Sequence, residues 1–220
     1  MKLDLQIQSL HEYIAQASQK QPNDSALLRC DINGNIEEVI SYKELSHQLL
    51  NIASWLAYKG IKPGEKIGIA MFNSPEFLMT SWAAWGVGAV TVPLDTKRDT
   101  LYQHKYKLDK AGVKLIVTTE GVFKKEEKRQ LSKYKIIEIQ SLGLKKNINK
   151  RAAWKSDLNH QALILFTSGT TAHPKGAQLS LKNLVINALS IKEWFKITKK
   201  DRFMVVLPLQ WRLVKIKLKD

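Results

Sequence analysis

Residues 161 to 176, QALILFTSGTTAHPKG, gather the groups in this chain best suited to holding an anion. Thr167, Ser168, Gly169, Thr170 and Thr171 follow one another without a large side chain. Pro174 fixes the backbone, and Lys175 and Gly176 close the stretch. Small hydroxylated residues leave backbone N–H groups accessible and add O–H donors, and the lysine adds a full positive charge. The combination suits a polyanion such as the phosphate tail of a nucleotide. The plain alternative is an ordinary Ser/Thr/Gly turn between two strands. A Walker-type loop does not match, because that motif places Gly-Lys-Ser/Thr at a strand-to-helix turn. Here the order is Lys175-Gly176 and a strand is predicted to follow, so a hairpin-like loop would have to do the holding.

The other reactive side chains form no comparable group. His173 lies in the loop without a second His, Cys or acid at metal-ligand spacing, and reads as a solvated residue. His11, His47, His104 and His160 make no constellation. Cys30 is the single cysteine, so no internal disulfide exists; on a predicted strand it reads as a small core residue, and a cytoplasmic location fits. Trp82 and Trp85 read as packing on an apolar helix rather than as a binding platform.

With 35 Lys and Arg against 20 Asp and Glu, the net charge is +15, which raises nucleic acid, anionic membranes and phosphorylated ligands as partners. The charge is spread along the chain. Its densest part, Lys124 to Lys155, has acids mixed in and no regular interleaving of aromatics. A solvated lysine-rich surface is therefore expected, with no specific nucleic-acid binding. No apolar run approaches the ~18 residues of a membrane span, and the start, MKLDLQIQSLHEY, lacks the apolar core of a secretory signal.

The elements that must position the loop read in order. A short amphipathic helix is predicted over Leu10 to Ala17. Strands follow at Ala26 to Cys30 and Ile36 to Ile40, joined by Asn33-Gly34, where both residues tolerate positive φ. Ser41-x-x-Glu44 opens a helix with an apolar stripe of Leu45, Leu49, Ile52, Ala53 and Leu56. Lys66 to Met71 is a strand. Ser74-Pro75 starts a buried helix over Phe77 to Trp85, and Ala89 to Val92 is the next strand. Asp99 is expected to cap a helix from Thr100 to Ala111. A strand at Val113 to Val117, a charged helix at Val122 to Ser132 and a strand at Ile136 to Ile139 follow. Residues 141 to 158 are polar and basic and read as a surface linker. Beyond the loop come a return strand at Ala177 to Leu179 and a helix capped by Ser180, with Leu184, Val185, Ala188, Ile191 and Trp194 apolar. A buried strand is expected at Phe203 to Leu207. Trp211 to Asp220 alternates apolar and basic residues and reads as an edge strand or a loose tail. The expected class is α/β: a mainly parallel sheet with helical crossovers and an early antiparallel hairpin.

The stretch LFTSGTTAHPKGAQLS resembles the signature loop of the adenylate-forming, AMP-binding superfamily, which includes acyl-CoA synthetases, luciferase-like enzymes and nonribosomal peptide adenylation domains. Co-linear blocks extend the resemblance: Ser41 to Leu45, Asn73 to Phe77, Trp85 to Val90 continuing to Asp95, then Asp201-Arg202 and Leu207 to Leu209. It covers residues 1–209, leaving 210–220 as a divergent basic tail. The resemblance implies ATP-dependent activation of a carboxylic acid as an acyl-adenylate, then transfer to a thiol such as coenzyme A. Thr167, Ser168, Gly169, Thr170, Thr171 and Lys175 would hold the nucleotide's phosphates with Mg²⁺ between them. Two departures stand out. The family usually has glycine where Ala172 stands, and if that position needs positive φ, alanine costs about 1–2 kcal/mol. After Leu209 the family has an aromatic residue, a histidine and a long continuation, whereas Gln210-Trp211 follows here. The resemblance thus implies an N-terminal fragment, inactive alone or completed by a separately encoded C-terminal portion. The rival expectation is a non-catalytic binding protein that reuses the fold or binds nucleic acid by charge.

Overall fold

Hydroxyl side chains set where the helices begin. The computed structural model describes residues 10–139, 154, 157–167, 174–205, 209 and 216–218. After α1 (Leu10–Lys20) and strands β1 (Ser25–Cys30) and β2 (Ile36–Ser41), Ser41 and Glu44 form the expected reciprocal capping box that opens α2 (Tyr42–Tyr58). Ser74 accepts from the Phe77 N–H and Pro75 takes the first position of α3 (Pro75–Gly86), where its missing donor leaves nothing unsatisfied. Ser180 and Asn183 cap α6 (Leu181–Trp194). Between these lie β3 (Lys66–Ala70), β4 (Val90–Pro93), α4 (Leu101–Ala111), β5 (Leu115–Thr118), α5 (Lys125–Gln130), β6 (Lys135–Glu138), β7 (Gln161–Thr167) and β8 (Lys175–Ser180). Strands β9 (Arg202–Met204) and β10 (Ile216–Leu218) complete the set.

Six strands form one sheet in the order β6-β5-β3-β4-β7-β8. Every neighbouring pair is parallel except the β7–β8 hairpin, so the expected α/β class with helical crossovers is the observed one. Successive strand residues face opposite layers. Ile67, Ile69, Leu115 and Val117 pack under α1, α2 and α3, whereas Val90, Val92, Ile116 and Ile164 pack with Leu108 of α4 and with Leu131 and Tyr134 beside α5. The sheet is thereby covered on both faces, as parallel sheets require.

The early hairpin is antiparallel, but its turn differs from the Asn-Gly expectation. Gly34 has φ +87°, yet Asn33 is not among the positive-φ residues. The Asp31 carboxylate instead accepts from the Asn33 and Asn35 N–H groups, both at 2.8 Å, and shapes a longer loop. Cys30 is exposed rather than in the core, because β1 pairs only with β2 in a two-stranded ribbon whose outer face nothing covers among the described residues.

Three more expectations are corrected. Asp99 does not cap α4. Thr100 does, through a capping box with Gln103. The charged helix is shorter than Val122 to Ser132, spanning Lys125–Gln130. The strand expected as buried over Phe203 to Leu207 is β9, with Arg202 and Met204 exposed; it pairs antiparallel with β10 from the tail, and residues 206–207 lie outside the described residues. Along α6, Leu181 is buried, Leu184, Val185 and Ile191 are half-buried, and Trp194 is 83% exposed. Most of 141–158 falls outside the described residues, but Trp154 packs against the α1–α3 side of the core.

Candidate nucleotide-phosphate site

The phosphate-suited stretch spans the mouth of the β7–β8 hairpin. Pairing runs from Gln161 opposite Ser180 to Thr167 opposite Lys175, so the first and last of the expected binding residues face each other across the open end. Ser168, Gly169, Thr170 and Thr171 lie outside the described residues, as do Ala172 and His173. Lys175 is exposed at the hairpin mouth. Strand β7 runs parallel to β4 with Thr91 opposite Leu163, so Thr167 ends at the carboxyl edge of the parallel strands. Open α/β sheets bind their ligands at that edge, because loops leaving it are free to vary over a fixed scaffold.

What sets the hairpin's height on the sheet is a buried relay. The Trp85 Nε1–H donates to Thr91 Oγ1 at 3.0 Å, and the Thr91 hydroxyl donates to the Ala162 carbonyl at 3.2 Å. Thr91 is fully buried, so its single hydroxyl couples α3, β4 and β7 without water. Trp85 therefore does more than pack. An indole that needs a partner for its N–H, six residues before a strand threonine, is the one sequence signal of this arrangement.

Other loops share the carboxyl edge. After β3, Asn73 Oδ1 accepts from the Leu209 N–H at 2.8 Å, tying a segment 136 residues away to this edge. After β4, Asp95 Oδ1 accepts from the Lys97 and Arg98 N–H groups at 3.0 and 3.1 Å, which turns the chain tightly and leaves both basic side chains exposed. Lys97 Nζ sits 5.9 Å from the centre of the Phe72 ring.

Behind that turn lies a polar cluster that spacing in the sequence did not bring together. The Asp99 carboxylate accepts from the Asp95 N–H and pairs with the Lys107 ammonium, and His104 Nε2 is 3.8 Å from the same oxygen. His104 Nε2–H donates to the Asp95 carbonyl at 3.2 Å, and Phe123 meets the ring edge-on. The Nδ1 atom is buried without a partner, so a proton there would have no acceptor. Burial holds the His104 pKa below its ordinary value, partly offset by the Asp95 carbonyl and the Asp99 charge. The unfolded chain then binds more protons than the folded one as pH falls below the ordinary histidine value of about 6.5, so stability drops with falling pH in that window. His11, also lowered by burial, adds to the same trend. Thermal melts between pH 7.5 and 5 should show this loss, and His104→Gln should make the dependence shallower. An unchanged slope in that variant would remove His104 from the account.

Among the described residues, no group of three or more His, Cys, Asp or Glu side chains is placed to hold a metal ion, and no helix is long and apolar enough to cross a membrane.

The fold is thus a two-sided α/β sheet with the Thr167–Lys175 hairpin mouth at the carboxyl edge of its parallel strands. The sequence matches the AMP-binding enzyme family over residues 14–214, and the chain belongs to that family. It is similar to the 2-succinylbenzoate–CoA ligase of Bacillus pumilus, with 28% identity over 77% of this chain and 34% of that protein. The feruloyl-CoA synthase of an Amycolatopsis species is 27% identical, again over 77% and 34%. The chain thus spans about a third of the length of these curated relatives. O-succinylbenzoate coenzyme A synthetase from Bacillus subtilis, solved in complex with ATP and magnesium ion, shares the fold with a TM-score of 0.76 at 24% identity, over 90% of this chain and 51% of that one.

Proposed function

We propose that these residues supply the phosphate-holding part of an enzyme that activates a carboxylic acid with ATP, forming an acyl-adenylate for transfer to a thiol such as coenzyme A. The observation that carries this reading is the Thr167–Lys175 pair at the mouth of a hairpin on the carboxyl edge of the sheet. A carboxylate is a poor electrophile, and attack on the α-phosphorus of ATP requires the β- and γ-phosphates to be held and their charge offset. Lys175 offsets charge. Thr167, Ser168, Gly169, Thr170 and Thr171 contribute hydroxyl and backbone donors. Mg²⁺ arrives with the phosphate oxygens, as is usual for this ion. The groups that complete the chemistry belong to the further length present in the relatives, so the 220 residues alone bind nucleotide without turning over acid. A cytoplasmic setting suits ATP and thiol chemistry.

Calorimetric titration with Mg·ATP tests this. A lysine–phosphate contact is charge-assisted and worth about 1.5–3 kcal/mol, so Lys175→Ala should weaken binding by roughly ten-fold or more. ATP–pyrophosphate exchange with a panel of carboxylic acids should remain at background. Equal ATP affinity in the wild type and Lys175→Ala would defeat the reading. The net charge of +15 favours a second one, generic polyanion binding. Its mark would be salt-sensitive DNA affinity that Lys175→Ala leaves unchanged.

A further inference from the structure

We infer that the amino edge of the sheet, opposite the hairpin mouth, is a docking surface for an anionic membrane, with Lys62, Lys66, Lys114 and Lys135 as its charged contacts. This surface shares no residue with the hairpin mouth and does not depend on the nucleotide reading.

The topology collects these lysines. Parallel strands joined by helical crossovers all start at one edge, so the loops that lead into β3, β5 and β6 meet there. Ile67 stands opposite Leu115, which makes Lys66 and Lys114 in-register neighbours, and the Lys135 N–H donates to the Lys114 carbonyl at 2.9 Å. Neighbouring strands are about 4.8 Å apart, so these three lysine backbones fall within roughly 10 Å. Lys62 joins them from a stiff turn. Its N–H donates to the Glu65 carboxylate at 2.9 Å, the Glu65 N–H donates to the Lys62 carbonyl at 3.1 Å, and the Gly64 N–H is fixed to the Gly88 carbonyl at 2.8 Å. Lys62, Lys114 and Lys135 are exposed and Lys66 is half-buried. The ion pairs of this region go to other cations: Asp109 to Lys133, Glu126 to Arg129 and Glu138 to Lys128. Among the described residues, no acid pairs with any of the four. Lys59 and Lys110 have a structural employment, since their charges offset the C-terminal dipoles of α2 and α4. The four sit in a turn or at strand starts, outside the last turn of either helix. Lysines present point charges without the planar fork that selects single phosphate groups, so the array suits a diffuse sheet of anionic headgroups. Tyr58, 69% exposed at the end of α2 with Lys59 Nζ 5.3 Å from its ring centre, adds an amphipathic ring of the kind that settles at a headgroup layer. The lysines are not interleaved with the aromatics that stacking on bases requires, which favours a membrane over nucleic acid. Strand β3 is five residues long, so the hairpin mouth lies roughly 16 Å away at the other end of the strands and stays open to water while the amino edge is docked.

Co-sedimentation of the full 220-residue chain with vesicles tests this. One set is phosphatidylcholine alone and the other carries about 30 mol% phosphatidylserine, both at about 0.15 M salt. The wild type should bind the anionic vesicles and not the neutral ones. A lysine close to an anionic surface strengthens partitioning about five-fold, so Lys62→Gln/Lys114→Gln/Lys135→Gln should bind the anionic vesicles roughly a hundred-fold more weakly. Lys62→Arg/Lys114→Arg/Lys135→Arg keeps the charge and should bind like the wild type. The control Lys182→Gln/Lys192→Gln/Lys199→Gln removes the same charge from exposed lysines that follow β8, at the other end of the strand order. Those lie beyond a Debye length of about 8 Å from the amino-edge array, and their loss should change binding by less than three-fold. A wild type that ignores the anionic vesicles, or binds pure phosphatidylcholine equally well, overturns the inference, as does an equal loss in the control. So does a glutamine triple that holds the vesicles normally but loses salt-sensitive affinity for duplex DNA, which would assign the edge to nucleic acid.

Discussion

Replacing Asp99 by alanine should destabilise the fold by about 3–5 kcal/mol, the usual cost of breaking a buried pair by removing one partner. The Asp99 and Lys107 side chains are 12% and 10% exposed, so the loss strands an ammonium group that water reaches poorly. It also removes the acceptor of the Asp95 N–H and the carboxylate nearest His104. The cost belongs to the stranded charge rather than to the pair itself. Asp99→Ala/Lys107→Met, which removes both charges and keeps an unbranched chain, should therefore recover most of the loss. Urea unfolding of the wild type, the two single variants and the double variant measures the cycle. A double variant as unstable as the sum of its singles would show that the pair is not coupled.

The second large effect runs against helix propensity. Alanine in place of glycine inside a helix ordinarily stabilises by about 1 kcal/mol. At Gly86, the last residue of α3, it should destabilise by about 1–3 kcal/mol. A Cβ there would overlap the six-membered ring of Trp154. That ring has nowhere to retreat, because its other neighbour is His11, stacked at 4.5 Å between centroids and 14° between planes. The alanine expels an aromatic side chain whose burial is worth about 1.5–3 kcal/mol or more. A Trp154→Ala background isolates the cause. With the indole gone, Gly86→Ala should turn neutral or stabilising by up to about 1 kcal/mol, and its denaturation midpoint should rise. A midpoint that falls equally in both backgrounds would place the strain elsewhere.

Trp154 also marks where sequence reading stopped. Local chemistry was legible: the serine caps at 41, 74 and 180, the buried character of α3 and the alternation of strands with helices are written in short-range pattern. The signature stretch was legible because hydroxyls, glycine and lysine were adjacent in the chain. What required the fold was contact across distance. Nothing within residues 141 to 158 announces that one tryptophan fills a notch on a helix that ends at Gly86. Asp99 precedes a helix and looks like its cap, but Thr100 with Gln103 satisfies those donors and frees the carboxylate for Lys107. The exposure of Cys30 and of Trp194 depends on which faces find a partner layer, a property of the assembled sheet. The strand order β6-β5-β3-β4-β7-β8 is likewise set by packing, and it alone brings Asp95 next to Thr167.

Strand β8 has a consequence of another kind. It ends the six-stranded sheet, and Lys175 to Gln178 are exposed along it, so its outer row of backbone donors and acceptors faces no described strand. An open edge of this sort is a template on which a second copy can pair, the first step toward aggregation. The charge of +15 works against that step, since two such chains repel before their edges meet. Colloidal stability then rests on charge repulsion, which dissolved ions screen. It is greatest in dilute salt and declines as the Debye length shortens from about 30 Å at 0.01 M to about 3 Å at 1 M.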